Sequence, residues 1–304
     1  MKEILAIDIG GTFIKYALMK ENTDILENGK FKTPLESMDL LINSIGELFD
    51  IYINRIEGIA ISMPGRIDSE KGFAHTGGAV HYINNVDFVS VLNKRCPIKI
   101  AIENDGKCAA LAELWKGSLK NCNSGAVITL GTGLGGGIIY DRKLWKGKNF
   151  LAGEFSFIHT DINEADDFSK LWTLQNNVSS LIESFALKKG LNPKEVNGEI
   201  VFDAINNSDE DGLNILNEFS SKLAIGIFNL QCVLDLECFS IGGGVSEQNI
   251  LIKTIQNKVD ECFEKRFMFP INKPNVVKCE FGNNANLIGA LYNYLNIMDI
   301  NTKK

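Results

Sequence analysis

The stretch ILAIDIGGTFIKYALM, from Ile4 to Met19, decides how the rest of this chain is read. Ile4-Leu5-Ala6-Ile7-Asp8 is a short apolar run suited to a buried strand. Gly10-Gly11-Thr12 turns the chain, and Phe13 to Met19 reads as the returning strand. The pattern then restarts. Ala126-Val127-Ile128-Thr129-Leu130 is a second apolar strand, Gly131 to Gly137 a glycine turn, and Ile138-Ile139-Tyr140 its return. Two halves that each open with a strand–glycine–strand unit predict a duplicated α/β fold with a central cleft between two lobes.

Outward from these units, residues 35–52 carry apolar positions at helical spacing, and Ile56 to Met63 is a buried-strand pattern stopped by Pro64-Gly65. Residues 98–102 form another strand, broken at Glu103-Asn104-Asp105. A helix follows from Gly106 to Trp115 with Asp105 as its N-cap. Helices are also expected over 168–189 and 211–235, a last buried strand over 237–241, and a closing amphipathic helix over 285–296. The junction between halves falls within Lys116 to Ser124.

Composition excludes several classes. The 304 residues, 45% of them hydrophobic, suffice for a large core, so neither disorder nor a small disulfide scaffold is in question. A net charge of −7 provides no basic field for nucleic acid or anionic membrane, and no stretch approaches the apolar length of a membrane span. The seven cysteines are scattered, odd in number and without a C-x-x-C pair, which points to reduced thiols in a cytoplasmic protein and away from structural zinc.

Three glycine clusters could hold an anion through backbone N–H groups: Gly10-Gly11, Gly131 to Gly137, and Gly242-Gly243-Gly244. Asp8 stands at a strand end, where a carboxylate can hold a hydrated Mg²⁺, and Thr12 adds a hydroxyl; the alternative is a plain hairpin turn. The second cluster contains G-x-G-x-x-G, but a strand and not a helix follows it, and Gly137 stands where a P-loop would need Lys. Five glycines in those seven residues exceed what a tight turn needs. Between the clusters, Glu103-Asn104-Asp105 ends a strand, where α/β folds bind ligands. Asp105 is placed there either to take a proton from an attacking hydroxyl or simply to cap a helix. Glu154 can bind sugar hydroxyls or be a solvated charge, and His75, His81 and His159 lack metal-ligand spacing.

This ordered set, with Ser62-Met63-Pro64-Gly65-Arg66-Ile67-Asp68 between, resembles the ROK family of sugar kinases over residues 4 to 296. The resemblance implies a two-lobed actin-like (ribonuclease H-like) ATPase fold, with an N-terminal lobe of residues 1–118 joined by the C-terminal helix (285–304) and a larger lobe of residues 119–284, and a cytoplasmic homodimer using ATP and Mg²⁺. It implies phosphate contacts from Asp8, Gly10, Gly11, Thr12, Lys15, Gly131, Thr132 and Gly133, adenosine near Gly243 and Gly244, and Asp8 as the Mg²⁺ ligand through water. Asp105 would be the general base, and Gly78, Ala79, Glu103, Asn104, Asp105 and Glu154 would line the sugar. Many members carry Gly-His after the Glu and a Cys-rich zinc motif. This chain has Ser156-Phe157 instead and no cysteine over 165–185, so no zinc is expected. Gly77-Gly78-Ala79-Val80-His81 stands where glucose-specific members have an Asn, which predicts a roomier pocket and a β-glucoside as substrate. Glucokinase, or another hexose or N-acetylmannosamine kinase, is the close rival. A non-catalytic sugar sensor on the same fold is the alternative of another class. An N-terminal helix-turn-helix domain is not expected, because Asp8 comes too early for one.

Overall fold

The computed structural model describes residues 3–302 other than 165, 267 and 269. Strand β1 (Glu3–Ile9) is buried at every position after Glu3, which is why its sequence is apolar without alternation: both faces are covered. It pairs antiparallel with β2 (Phe13–Lys20), which carries the edge strand β3 (Ile25–Lys32). On its other side β1 runs parallel to β4 (Ile56–Met63), and β4 parallel to β8 (Lys99–Asn104), giving the order β3-β2-β1-β4-β8. A small sheet of β5 (Ile67–Asp68), β6 (Phe73–Thr76) and β7 (Asn84–Asp87) lies between β4 and β8 in sequence.

Side chains alternate across β1. Leu5, Ile7 and Ile9 join a core with Leu41, Ile45 and Phe49 of α1 (Met38–Tyr52) and Phe88 and Leu92 of α2 (Phe88–Arg95). Helix α9 (Ala285–Thr302) packs on β1, β4 and β8 and against α3 (Asp105–Trp115).

The second sheet repeats the plan. Strand β9 (Gly125–Leu130) pairs antiparallel with β10 (Leu134–Tyr140), which carries the edge strand β11 (Lys143–Trp145). β9 also runs parallel to β12 (Cys238–Gly242), and β12 to β13 (Asn275–Lys278), in the order β11-β10-β9-β12-β13. Its core draws Trp172 from α4 (Trp172–Asn176), Phe185 from α5 (Val178–Lys189) and Phe202 from α6 (Gly198–Asn206). Phe219 and Leu223 of α7 (Glu210–Leu234) and Leu251 and Ile255 of α8 (Asn249–Glu264) complete it. The chain thus forms two compact units. One holds the chain up to Lys116, Lys146–Ala152 and the chain from Asn284; the other holds Gly117–Trp145 and Gly153–Asn283.

Several boundaries differ from the sequence reading. Strand β8 runs on through Glu103 and Asn104, because these pair with Ser62 and Met63 of β4. The glycine turn of the second unit is only Gly131-Thr132-Gly133, since pairing with β9 already begins at Leu134. Gly135, Gly136 and Gly137 are strand residues, and at Gly136 a Cβ would fall 2.6 Å from the Phe155 ring. The helical stretch 168–189 is broken at Asn177, whose side chain accepts from the Ser180 N–H at 2.7 Å and starts a new helix.

Candidate functional site

Asp8, Ser62 and Glu103 stand in register at the carboxyl ends of three parallel strands, the position at which α/β sheets present ligand-binding groups. Asp8 is almost wholly buried (8% exposed). Its Oδ1 accepts from Ser62 Oγ at 2.8 Å and from Asn286 Nδ2, at the start of α9, at 3.1 Å. Burial pushes the Asp8 carboxyl above the ordinary range, opposed by the Ser62 and Asn286 hydrogen bonds and by Lys15, its cross-strand partner. No hydrogen bond among the described residues engages Oδ2. One oxygen anchored and one available suits a hydrated Mg²⁺, which keeps most of its waters and takes few protein ligands. Among the described residues no three His, Cys, Asp or Glu side chains converge to hold a metal by themselves. Cys108, buried nearby, is no nucleophile: burial, reinforced by Glu103 and Asp8, pushes its thiol well up.

The Gly10-Gly11-Thr12 turn is tightly tied. Gly10 donates its N–H to the Phe13 carbonyl at 3.1 Å, and Thr33 Oγ donates to the Gly10 carbonyl at 2.6 Å. The Gly10 N–H is therefore committed to the turn, and Gly11 and Thr12 are the residues there whose N–H groups remain for an anion.

The Glu103-Asn104-Asp105 group departs from expectation. Asn104, not Asp105, caps α3, its Oδ1 accepting from the Lys107 N–H at 3.1 Å. Its Nδ2 donates to the Gly65 carbonyl and to Asp105 Oδ1, both at 3.0 Å. Both amide hydrogens are committed, so a sugar would meet only the remaining Oδ1 lone pair. Asp105 Oδ1 also accepts from the Gly106 N–H at 2.8 Å, and the residue is half-buried at the first turn of the helix. Glu103, expected to bind sugar hydroxyls, is instead fully buried at 0% exposure. One of its oxygens accepts from the Asn104 N–H at 2.9 Å, and the other is ion-paired with Lys146 Nζ at 2.9 Å. A group so enclosed is not accessible to a substrate. Gly78 and Ala79 are exposed in the turn after β6, with Gly78 packed on Pro64 and Gly65.

The second unit carries the other expected residues. Gly131 donates its N–H to the Gly133 carbonyl at 3.0 Å, leaving the Thr132 and Gly133 N–H groups; Thr173 Oγ accepts from the Leu134 N–H at 2.9 Å behind them. Gly243 and Gly244 follow β12 and line a groove of about 270 Å³ with Glu247, Glu280, Phe281, Gly282 and Asn283. Glu154, half-buried, precedes a short helical turn at Phe155–Phe157, and Phe157 is 68% exposed. Sequence reasoning missed Ser62 as a partner of Asp8, and missed Asn286, Lys146 and Thr173. Ser62 lay within a quoted motif, whereas Lys146 carries no local signal.

Two sheets of identical topology, each opening with a glycine hairpin at the end of a buried strand, define the actin-like (ribonuclease H-like) ATPase fold. The family model described as the ROK family matches residues 4–296, and the chain belongs to the ROK family. It is 30% identical to a beta-glucoside kinase of Klebsiella pneumoniae, with 96% of each chain covered. It is 26% identical to an N-acetyl-D-glucosamine kinase of Vibrio atlanticus, covering 94% of this chain and 97% of that one. A solved ROK family protein from Streptococcus pneumoniae TIGR4, in complex with sucrose, aligns at TM-score 0.87 and 26% identity over 98% of this chain and 99% of its own.

Proposed function

We propose that the chain is an ATP-dependent sugar kinase that phosphorylates the primary 6-hydroxyl of a β-glucoside, working in the cytoplasm as a homodimer. The relatives named beta-glucoside kinase support the substrate class. The observation that carries the chemistry is Asp105: a half-buried carboxylate at the end of β8, aimed by the Asn104 amide and the Gly106 N–H. The Asp105 carboxylate orients the acceptor hydroxyl and takes its proton as the oxygen attacks the γ-phosphorus, the bond from that phosphorus to the β-phosphate oxygen breaks, and ADP leaves. Gly11, Thr12, Thr132 and Gly133 offer backbone donors to the phosphates, and Lys15 adds a cation. Gly243 and Gly244 take the adenosine, and Glu154, Gly78 and Ala79 the sugar. Asp8 would hold Mg²⁺ through water, and the bound ion would supply neutralisation of phosphoryl charge. The two compact units serve as the two lobes of the kinase. Asp105→Asn is expected to lower kcat by about 10²–10⁴ with ATP affinity nearly intact; near-normal turnover would overturn the assignment. Coupled assays with cellobiose, gentiobiose, glucose, N-acetylglucosamine and N-acetylmannosamine decide the acceptor. ADP formation unaffected by any sugar would favour a sensor.

A further inference from the structure

Lys146–Ala152 follows β11 of the second unit yet belongs to the first. The segment closes on itself through the Ala152 N–H and the Lys146 carbonyl at 3.1 Å. It is pinned to the first unit at two points. Phe150 stacks on His75 with ring centroids 5.8 Å apart and planes 22° apart. At the other end Lys146 Nζ lies 2.9 Å from Glu103 Oε2 and donates to Ser69 Oγ, itself buried.

We propose that Lys146 is a positioning residue for Asp105, acting through Glu103 and Asn104; the inference rests on the reading of Asp105 as the base. The contacts form a continuous path. Lys146 holds one Glu103 oxygen, and the other fixes the Asn104 N–H at 2.9 Å. The Asn104 amide in turn holds Asp105 Oδ1 at 3.0 Å. A fully buried carboxylate without a counter-charge is strongly unfavourable, because removing one partner leaves an uncompensated ion in a low-dielectric site. Glu103 then turns toward water, which releases the Asn104 N–H at the end of β8, from which Asp105 is aimed. Small displacements of a reacting group are costly to rate. The path includes none of the residues assigned to the nucleotide, so the effect falls on kcat and the acceptor rather than on ATP.

The test compares Lys146→Met, Lys146→Arg and Asp105→Asn with the unaltered chain, using cellobiose and glucose as acceptors and following ADP release. Lys146→Met is expected to lower kcat by about 10–100-fold, with KM for ATP changed by less than about twofold. Lys146→Arg, which keeps the cation, is expected to recover most of that loss. An unchanged kcat in Lys146→Met overturns the proposal. So does a loss shared equally by the Met and Arg variants and accompanied by an equal rise in KM for ATP, which marks general damage to the fold. Where Lys146→Met does not fold, Lys146→Gln keeps a donor for the carboxylate and is read by the same two outcomes. Near-normal turnover in Asp105→Asn removes the reading of the base itself. Inactive Asp105→Asn beside fully active Lys146→Met removes only the role of Lys146.

Discussion

Asp8 shows how a residue proposed for the site can work against the fold that carries it. Its carboxyl is raised by burial, so the folded chain binds a proton more tightly there than the unfolded chain does. Stability from this group is therefore complete below the ordinary carboxylate pKa and is lost as pH rises through the higher folded value. Asp8→Asn removes that charge while its Oδ1 still accepts from Ser62 and Asn286, both of which bond the same oxygen. The variant is expected to melt at a higher temperature than the parent at pH 7 without ligands, and to lose at least about tenfold in kcat. Thermal melts and turnover measured together check it; a lower melting temperature would contradict the sign. The positions of Asp8 near the end of β1 and of Asp105 just past β8 were legible in the sequence because each closes an apolar run. The burial of Glu103 and its ion pair were not legible, because the partner, Lys146, lies far along the chain and no local pattern records a distant counter-charge.

At the scale of elements, α3 and α9 hold Asp105 and Asp8 in place. Helix α3 begins at Asp105, and α9 delivers Asn286 to Asp8. The two helices touch at Gly289, where a Cβ would fall 1.8 Å from the Cys108 carbonyl oxygen. Gly289→Val is expected to destabilise the protein by about 1–3 kcal/mol, because overpacking against backbone outweighs the helix propensity gained over glycine. Urea unfolding measures the loss, and a neutral result would mean that α9 shifts freely. The apolar strands β1, β4, β9 and β12 were readable from their runs of buried residues. Strand β3, ILENGKFK, was not: an edge strand with polar residues and a central glycine has no strand-like apolar pattern. Strand β13 gave only four residues, and α8 mixes lysines with its apolar stripe. The Asn177 break between α4 and α5 escaped because apolar spacing continues across it.

For the molecule as a whole, the proposed chemistry joins an acidic chain of charge −7 to a polyanionic substrate. Local donors and a cation must then supply the binding that net charge opposes. Chelation with EDTA is expected to abolish turnover and excess Mg²⁺ to restore it; turnover that survives chelation would count against the role given to Asp8. Among the described residues no helix is long and apolar enough to cross a membrane. The duplicated plan was legible because both hairpins repeat one pattern, whereas the return of Lys146–Ala152 to the first unit was not. That return, with α9, has a consequence for synthesis on the ribosome. Every strand of the second sheet has been made before Asn284, so that unit holds its full complement of pairing partners early. The first unit waits for its final helix long after its own strands have emerged, about ten seconds or more at ordinary elongation rates of about 5–20 residues per second. Asp8 then has Ser62 but not Asn286 as a partner, and the apolar face that α9 covers stays open during that interval; a chain ending just short of Ala285 and released from the ribosome would carry every strand of the second sheet while its first unit stayed open to chaperones.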